Sequence, residues 1–448
     1  MAETLERRLG VFSATTLIVG SMIGSGIFIA PSIMAGLVGT PGIYLALWLV
    51  GGGLTLLGAL SYGELCAMMP HAGGQYVFLR QAFGPLVGFL YGWTVFLVIQ
   101  TGFNAAVAIA FSKFLGGVGL HLGEADVVLQ VAGFTLSRAQ LVAVAVIALL
   151  TWINCRGVEA GAVVQNVMTV LKVGAIALLV VIGFSSGKGS FDNFTPLVGA
   201  VPLAAIGVAM SKALFAYDAW NTVTFAAEEI KDPHRNLPRA LVLGTVVTTV
   251  VYFGACAVYL YVLPLPAMAG VAENRVASQV ADVLLGGFGV TAVSIAILVS
   301  TFGCANGLIL GGGRVLFAMA RDKLFFASAG RVHARRGTPQ NALVLQGIWS
   351  AVLALSGSYS ALLTYVTFAS LSFNALTVAG LFVLRRKQPH AERPYKTWGY
   401  PLTPAAYLAG AAFFVIYIFE GDPRDALIGI GLVALGLPAY AIFRRRAT

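Results

Sequence analysis

The sequence is poor in charge. Asp, Glu, Lys and Arg make up 10% of its 448 residues, against about 25% in a soluble globular domain. That scarcity excludes a conventional water-facing surface. Cysteine is scarce too. Cys66, Cys155, Cys256 and Cys304 all fall in or beside apolar runs, where they read as packing residues and outline no disulfide framework. The five histidines, His71, His121, His234, His333 and His390, lie apart with no metal-ligand spacing. Neither a metal nor any other cofactor is expected. There is no hydrolase elbow and no phosphate-cradling loop. The run Gly311-Gly312-Gly313 follows an apolar helical pattern and not a strand, so it is discounted as a nucleotide site. No constellation supports an enzyme. A cleavable signal peptide is not expected either, because the first apolar run is too long and lacks a small-residue cleavage site.

What the chain has in quantity is apolar surface: 58% hydrophobic residues and a mean hydropathy of +0.87. A bilayer crossing needs about 20 apolar residues. By that measure twelve spans are expected, near 11–37, 43–69, 83–115, 136–155, 160–185, 203–228, 238–263, 278–311, 340–356, 359–384, 401–420 and 425–443. The fold class is therefore an all-α polytopic membrane protein embedded in a lipid bilayer. The net charge of +10 is explained by topology. With both termini cytoplasmic, 21 of the 28 Lys and Arg residues lie inside and 5 outside, as the positive-inside rule requires. Nucleic-acid binding is not needed to account for it.

Two spans carry interruptions. The first holds Gly20, Gly24 and Gly26 with Ser25 between the last two, and Pro31 beyond them. Each glycine weakens a helix by roughly 1 kcal/mol relative to alanine. Taken alone, this stretch fits two readings. Gly20 and Gly24 could let two intact helices pack closely. Alternatively the helix breaks, and protein or ligand satisfies its freed backbone groups. The second interruption, in the sixth span, is Ser211 to Asn221, which places Lys212, Asp218 and Asn221 in an apolar run. Residues 11–185 and 203–384 each hold five spans, and the odd count inverts the second block. Interrupted spans at matching places in inverted halves point to a transporter's substrate site. The expected organisation is thus a cytoplasmic segment 1–10, repeats 11–185 and 203–384, a pair of spans in 401–443 and a cytoplasmic end at 444–448.

Four motifs make the chain resemble the amino acid–polyamine–organocation superfamily, within it the L-type amino acid transporter branch and its bacterial homologues. They are Gly24-Ser25-Gly26-Ile27-Phe28; Phe215-Ala216-Tyr217 with Trp220-Asn221; Glu228-Glu229 through Asn236-Leu237-Pro238-Arg239-Ala240; and Phe302-Gly303 with Asn306-Gly307. The resemblance implies the five-plus-five inverted repeat of LeuT-like transporters, with helices 1 and 6 broken. It also implies amino acid exchange at a bacterial inner membrane. Phe215 matches the aromatic that closes over substrate in related carriers. Trp220 and Asn221 match the motif, and Asn221 could equally bond between helices. Lys172 matches a span 5 lysine whose ammonium sits where sodium-coupled relatives hold their ion, which implies sodium independence. Proton coupling stays open. Light chains of this branch join a heavy subunit through a cysteine in the loop after span 3. Residues 116–135 contain none, so no disulfide-linked partner is expected.

The chemistry of an amino acid assigns the remaining roles. Its carboxylate suits the N–H groups of Gly24, Ser25 and Gly26, the Ser25 hydroxyl and the positive end of the helix that follows. Its ammonium suits the carbonyls at Met22 and Ile23, and at Phe215, Ala216 and Asp218. The Asp218 carboxylate could hold a cationic side chain or cap the second half of its helix. Lys172 lies roughly 16 Å into its span at 1.5 Å per residue, too deep to snorkel. It needs partners inside the bundle, and the resemblance implies that these are carbonyls near Gly20 and Ser21. Asn306 could line the pocket or bond to a neighbouring helix, and Glu64, Glu228 and Glu229 could pair with loop arginines. The substrate expected is a neutral amino acid. A cationic amino acid, proton symport, and sensing without transport are the alternatives.

Overall fold

The computed structural model describes residues 5–120, 126–131, 134–356, 359–421 and 423–447. The chain runs α1 Val11–Met22, α2 Gly26–Val38, α3 Pro41–Met68, α4 Gln75–Phe83, α5 Pro85–Thr94 and α6 Gln100–Lys113, the last two joined by a π-turn at Val95–Ile99. Then come the hairpin strands β1 Val127–Val131 and β2 Phe134–Ser137, α7 Arg138–Cys155, α8 Val158–Ser185, α9 Leu203–Tyr217 and α10 Thr222–Phe225. Next are α11 Pro233–Val262, α12 Leu265–Ala269, α13 Val276–Leu285 and α14 Gly287–Arg321. The chain finishes with α15 Gln340–Ser356, α16 Tyr359–Lys387, α17 Leu402–Gly421, α18 Pro423–Ala434 and α19 Gly436–Ala447.

Local sequence sets many of these boundaries. α3, α5 and α11 start with proline at the first turn, where its missing N–H costs nothing. α7 opens with a capping box in which the Ser137 hydroxyl accepts from the Gln140 N–H, and the Gln140 side chain accepts from the Ser137 N–H. Among the described residues, nine helical spans are long and apolar enough to cross a membrane; a tenth is the pair α1 and α2, bent by 41° at its break. This is a polytopic all-α membrane protein. α9 and α15 are apolar but shorter.

Two expectations need correction. The apolar run expected at 278–311 is two helices, divided at Gly286, whose φ of 63° favours glycine. The second of these continues to Arg321, so Arg314 lies inside a helix and is fully buried, not in a loop. The loop after the third span carries β1 paired antiparallel with β2.

The core gathers where α1 packs on α8, α11 and α14, and α2 on α9. Outside this group the helices show apolar side chains to the bilayer; Val163, Val170 and Val181 of α8 are all more than half exposed. With no hydrophobic drive between helices in lipid, specificity comes from close packing and polar contacts. Asn306 illustrates this. It donates to the Gly161 carbonyl and the Gln165 side chain, and accepts from Asn154, which joins α14 to α7 and α8. It therefore bonds helices together and does not line a pocket.

Candidate functional site

Two helix breaks face each other in this core. The first is Ile23-Gly24-Ser25, between α1 and α2. α2 begins at Gly26, so its first N–H groups have no acceptor within the helix. Ser25 sits at its N-cap position without a side-chain cap. The second break is Asp218-Ala219-Trp220-Asn221, between α9 and α10. Here Ala219 takes a left-handed backbone, φ 68°, which costs a non-glycine residue on the order of 1–3 kcal/mol. The Asp218 carboxylate accepts the Ala219 N–H at 2.7 Å and so holds that conformation.

The breaks touch. A Cβ on Gly26 would lie 2.8 Å from the Ala216 Cβ and 2.9 Å from its Cα, and one on Gly24 would lie 2.8 Å from the Cys304 Sγ. Glycine at these two positions is a demand of close approach. Gly24, Ser25, Gly26, Phe215 and Ala216 are all buried. Phe215 stacks on Phe103 with ring centroids 5.3 Å apart, and this pair covers the approach from α6.

Lys172 fills the carbonyl side of the first break. Its buried ammonium donates to the carbonyls of Gly20 at 2.8 Å, Ile23 at 2.7 Å and Ser300 at 2.8 Å. All three of its donors are used. Two of the carbonyls belong to the C-terminal end of α1, the negative end of a helix dipole, where a cation is favoured. The expected Ser21 carbonyl instead accepts from the Cys304 thiol.

The backbone acceptors can now be counted. The Met22 carbonyl accepts the Gly24 N–H at 2.9 Å and the Tyr252 hydroxyl at 2.7 Å. The Ile23 carbonyl accepts Lys172 and the Ser300 hydroxyl. A carbonyl has two lone pairs, so both are fully engaged. On the second break, the described bonds give the Phe215 carbonyl one donor, the Asp218 N–H, and the Ala216 carbonyl one, the Tyr252 hydroxyl. Spare acceptor capacity therefore lies at Phe215 and Ala216. Tyr252 spans the two breaks, with a single hydroxyl proton placed between Met22 and Ala216. Nothing in the sequence singled it out: a tyrosine in an apolar helix carries no pattern.

Trp220 and Asn221 turn away from this junction. Trp220 packs edge-on against Tyr62 at 4.6 Å. Asn221 donates to Gln75 at 2.7 Å and Asn374 at 3.0 Å. Between them and the junction lies Asp218, which lines two small cavities of about 20 and 10 Å³. The larger is big enough for one water. Leu214, Thr367 and Tyr407 complete one wall, and Ser370 and Phe225 the other.

The junction is shut at the N-terminal end of the chain by a strap and by ion pairs. The N–H groups of Arg8 and Leu9 donate to the Glu229 carbonyl, each at 2.9 Å, and the Lys231 N–H donates to Leu9. The Glu229 carboxylate binds buried Arg314 of α14 at 2.9 Å, and Glu228 meets Arg321 at 3.3 Å. Glu64 is held by Arg385 and Arg393 and by the Thr397 N–H. All three acids thus pair with arginine, but Arg314, Arg321 and Arg385 lie on helices and only Arg393 is the loop arginine expected. Among the described residues no group of His, Cys, Asp and Glu could hold a metal ion.

Comparison with known proteins agrees with this architecture. Residues 9–428 match the family model described as amino acid permease. The chain is similar to large neutral amino acids transporter small subunit 2 of Homo sapiens, 33% identical over 97% of this chain and 80% of that protein. It is also similar to Asc-type amino acid transporter 1 of Mus musculus, 33% identical over 97% and 81%. A third relative, b(0,+)-type amino acid transporter 1 of Mus musculus, is 30% identical over 98% and 88%. With helical spans, facing breaks and a match along nearly its whole length, the chain belongs to the amino acid permease family, within the amino acid–polyamine–organocation superfamily.

Proposed function

We propose that this transporter exchanges neutral L-amino acids across a bacterial inner membrane, without sodium, by alternating access. Twelve spans follow if α9 with α10 counts as one broken crossing and α15 as a short one. Residues 11–185 and 203–384 then form the inverted repeats, residues 401–443 add the last two spans, and segments 1–10 and 444–448 lie in the cytoplasm. The observation that carries the reading is the meeting of the two breaks at Gly26 and Ala216, beside an ammonium already lodged among the carbonyls of α1.

In this reading the substrate carboxylate takes the N–H groups of Ser25 and Gly26 at the start of α2, with the Ser25 hydroxyl; the Gly24 N–H, expected among them, is already engaged by the Met22 carbonyl. Its ammonium takes the carbonyls of Phe215 and Ala216, where acceptor capacity remains, in preference to those of Met22 and Ile23. The ring of Phe215 closes over the bound molecule. The fixed ammonium of Lys172 occupies the cation position between α1 and α14, so no sodium ion is needed. The strap at Leu9 and the Arg314–Glu229 pair must open for release to the cytoplasm.

The names of the relatives support a neutral substrate. A cationic side chain is a second reading, favoured by the carboxylate of Asp218 beside its two cavities; its bond to the Ala219 N–H favours the capping role instead. A disulfide-linked heavy subunit is not part of the proposal, because all four cysteines are buried. The assignment is tested with Ser25→Ala and Phe215→Ala. Both should lose uptake of neutral amino acids while still reaching the membrane. Uptake at the parent rate by both variants would overturn the site.

A further inference from the structure

On the lipid-facing side of the molecule, a groove of about 450 Å³ lies along α7 and α15. That is within the range of ordinary ligand pockets. Its walls are apolar, formed by Ile147, Ala148 and Trp152 of α7 and by Val344, Ile348 and Ala351 of α15. Its end is polar and basic. α7 stops at Cys155, whose carbonyl accepts from Gln340 at 2.6 Å and from Arg336 at 3.4 Å. Arg156 follows directly, its guanidinium 4.2 Å above the Trp152 ring. Arg336 faces the same end and is exposed. Among the described residues neither of these two arginines has a carboxylate partner. The nearest acid along the chain, Glu159, is taken by Arg8.

We propose that this groove is a binding site for an anionic glycerophospholipid, with one acyl chain along α7 and α15 and the phosphate at Arg156 and Arg336. Four observations converge on that occupant. First, the groove is long and apolar but ends in cations, which is the charge pattern of such a lipid reversed. Second, stacking on Trp152 fixes the Arg156 guanidinium before any ligand arrives, and a guanidinium matches phosphate geometry. Tryptophan is itself a residue of the headgroup level. Third, the buried Thr151 hydroxyl lies against Gly347 of α15, where an added Cβ would meet it at 2.6 Å, so the two helices close on each other and form a continuous floor under the groove. Fourth, a neighbouring transmembrane helix is about 10–12 Å across with its side chains. It would bridge a groove of this size, whereas an acyl chain would fill it.

The site is separate from the substrate junction but is wired to it. Asn154, adjacent to Cys155, donates to Asn306; Asn306 donates to Gln165; and Gln165 donates to the Thr16 carbonyl of α1. A lipid that holds α7 and α15 together steadies the first link of this chain.

The test is native mass spectrometry of the full-length protein, released from detergent after incubation with equal amounts of phosphatidylglycerol and phosphatidylcholine of the same acyl chains. The protein should retain phosphatidylglycerol at least tenfold in preference. The double variant Arg156→Gln/Arg336→Gln should lose that preference while still binding both lipids weakly. Ala148→Phe, which fills the groove, should lose retention of both. Thermal unfolding in detergent checks each variant's fold, and Arg156→Lys, which keeps the charge, guards against a purely structural effect by retaining part of the preference. Equal retention of the two lipids by the parent protein would overturn the proposal. So would an undiminished preference in the double variant. Protection by soluble glycerol phosphate as strong as that by the lipid would replace it with a simple anion site. Crosslinking through Trp152 to a second polypeptide would replace it with a protein interface.

Discussion

Replacing Lys172 with alanine removes one ammonium from three carbonyls, those of Gly20, Ile23 and Ser300. A buried acceptor left without a donor costs about 1–3 kcal/mol. The Ile23 carbonyl keeps its bond from the Ser300 hydroxyl, and the Ser300 carbonyl, in the middle of α14, keeps its place in the helix ladder. The heaviest loss therefore falls on Gly20, whose helical donor, the Gly24 N–H, is turned to Met22. A net loss of roughly 1–3 kcal/mol in holding α1 against α14 follows. Each 1.36 kcal/mol is a factor of ten, so exchange should slow roughly 5- to 150-fold. The assay is exchange of labelled amino acid in proteoliposomes, with surface-accessible protein quantified in parallel. Lys172→Arg should not restore the rate, because a planar guanidinium cannot direct three donors to carbonyls clustered around one nitrogen. The variant also tests the sodium argument. The emptied position is lined by oxygen atoms, and partial rescue of Lys172→Ala by sodium would fit an ammonium that stands in for an ion. Exchange at the parent rate by Lys172→Ala would refute the reasoning, since nothing else among the described contacts replaces those three bonds.

Three further substitutions probe the rest of the junction. Gly26→Val should abolish exchange with membrane insertion intact, because even a Cβ there meets Ala216 at 2.8 Å; measurable turnover would mean the breaks need not close this far. Asp218→Asn should weaken uptake of all amino acids severalfold if the carboxylate caps the break, and a selective loss of arginine and lysine uptake in a competition panel would assign it to the substrate side chain. Arg314→Gln strands the buried Glu229 carboxylate, which typically costs about 3–5 kcal/mol. Thermal unfolding in detergent should shift down markedly, and the double variant with Glu229→Gln should recover much of the loss.

The sequence made some of this site legible and hid the rest for physical reasons. The first break could be read only with the second interruption in the inverted half, because glycines alone also fit intact helices, as Gly51-Gly52-Gly53 in α3 and Gly311-Gly312-Gly313 in α14 show. The second was placed correctly between Ser211 and Asn221 but too broadly. It occupies only residues 218–221, and it relies on Ala219 in a left-handed conformation that no residue type announced. Lys172 was legible from depth alone, since a buried ammonium must find acceptors. Gly20 was predicted among them, whereas Ile23 and Ser300 were not. Tyr252 was invisible, as was the burial of Arg314. An arginine after three glycines looks like the end of a span. What keeps it inside α14 is a carboxylate 85 residues away in sequence, and that pairing exists only once the helices have assembled. Trp220 and Asn221 carried the family pattern but contact the α3, α4 and α16 side of the bundle. Their motif holds the break from that side, and each also lines one of the two Asp218 cavities.

The central claim is that two facing breaks bind the shared part of an amino acid and that Lys172 takes the place of a coupling ion. Its most direct test is uptake of a labelled neutral amino acid into proteoliposomes in sodium-free buffer, with and without unlabelled amino acid inside. The account predicts rapid uptake into loaded vesicles, little into empty ones, and no change when sodium replaces choline outside. Uptake that appears only with sodium would contradict it, as would equal uptake into empty and loaded vesicles.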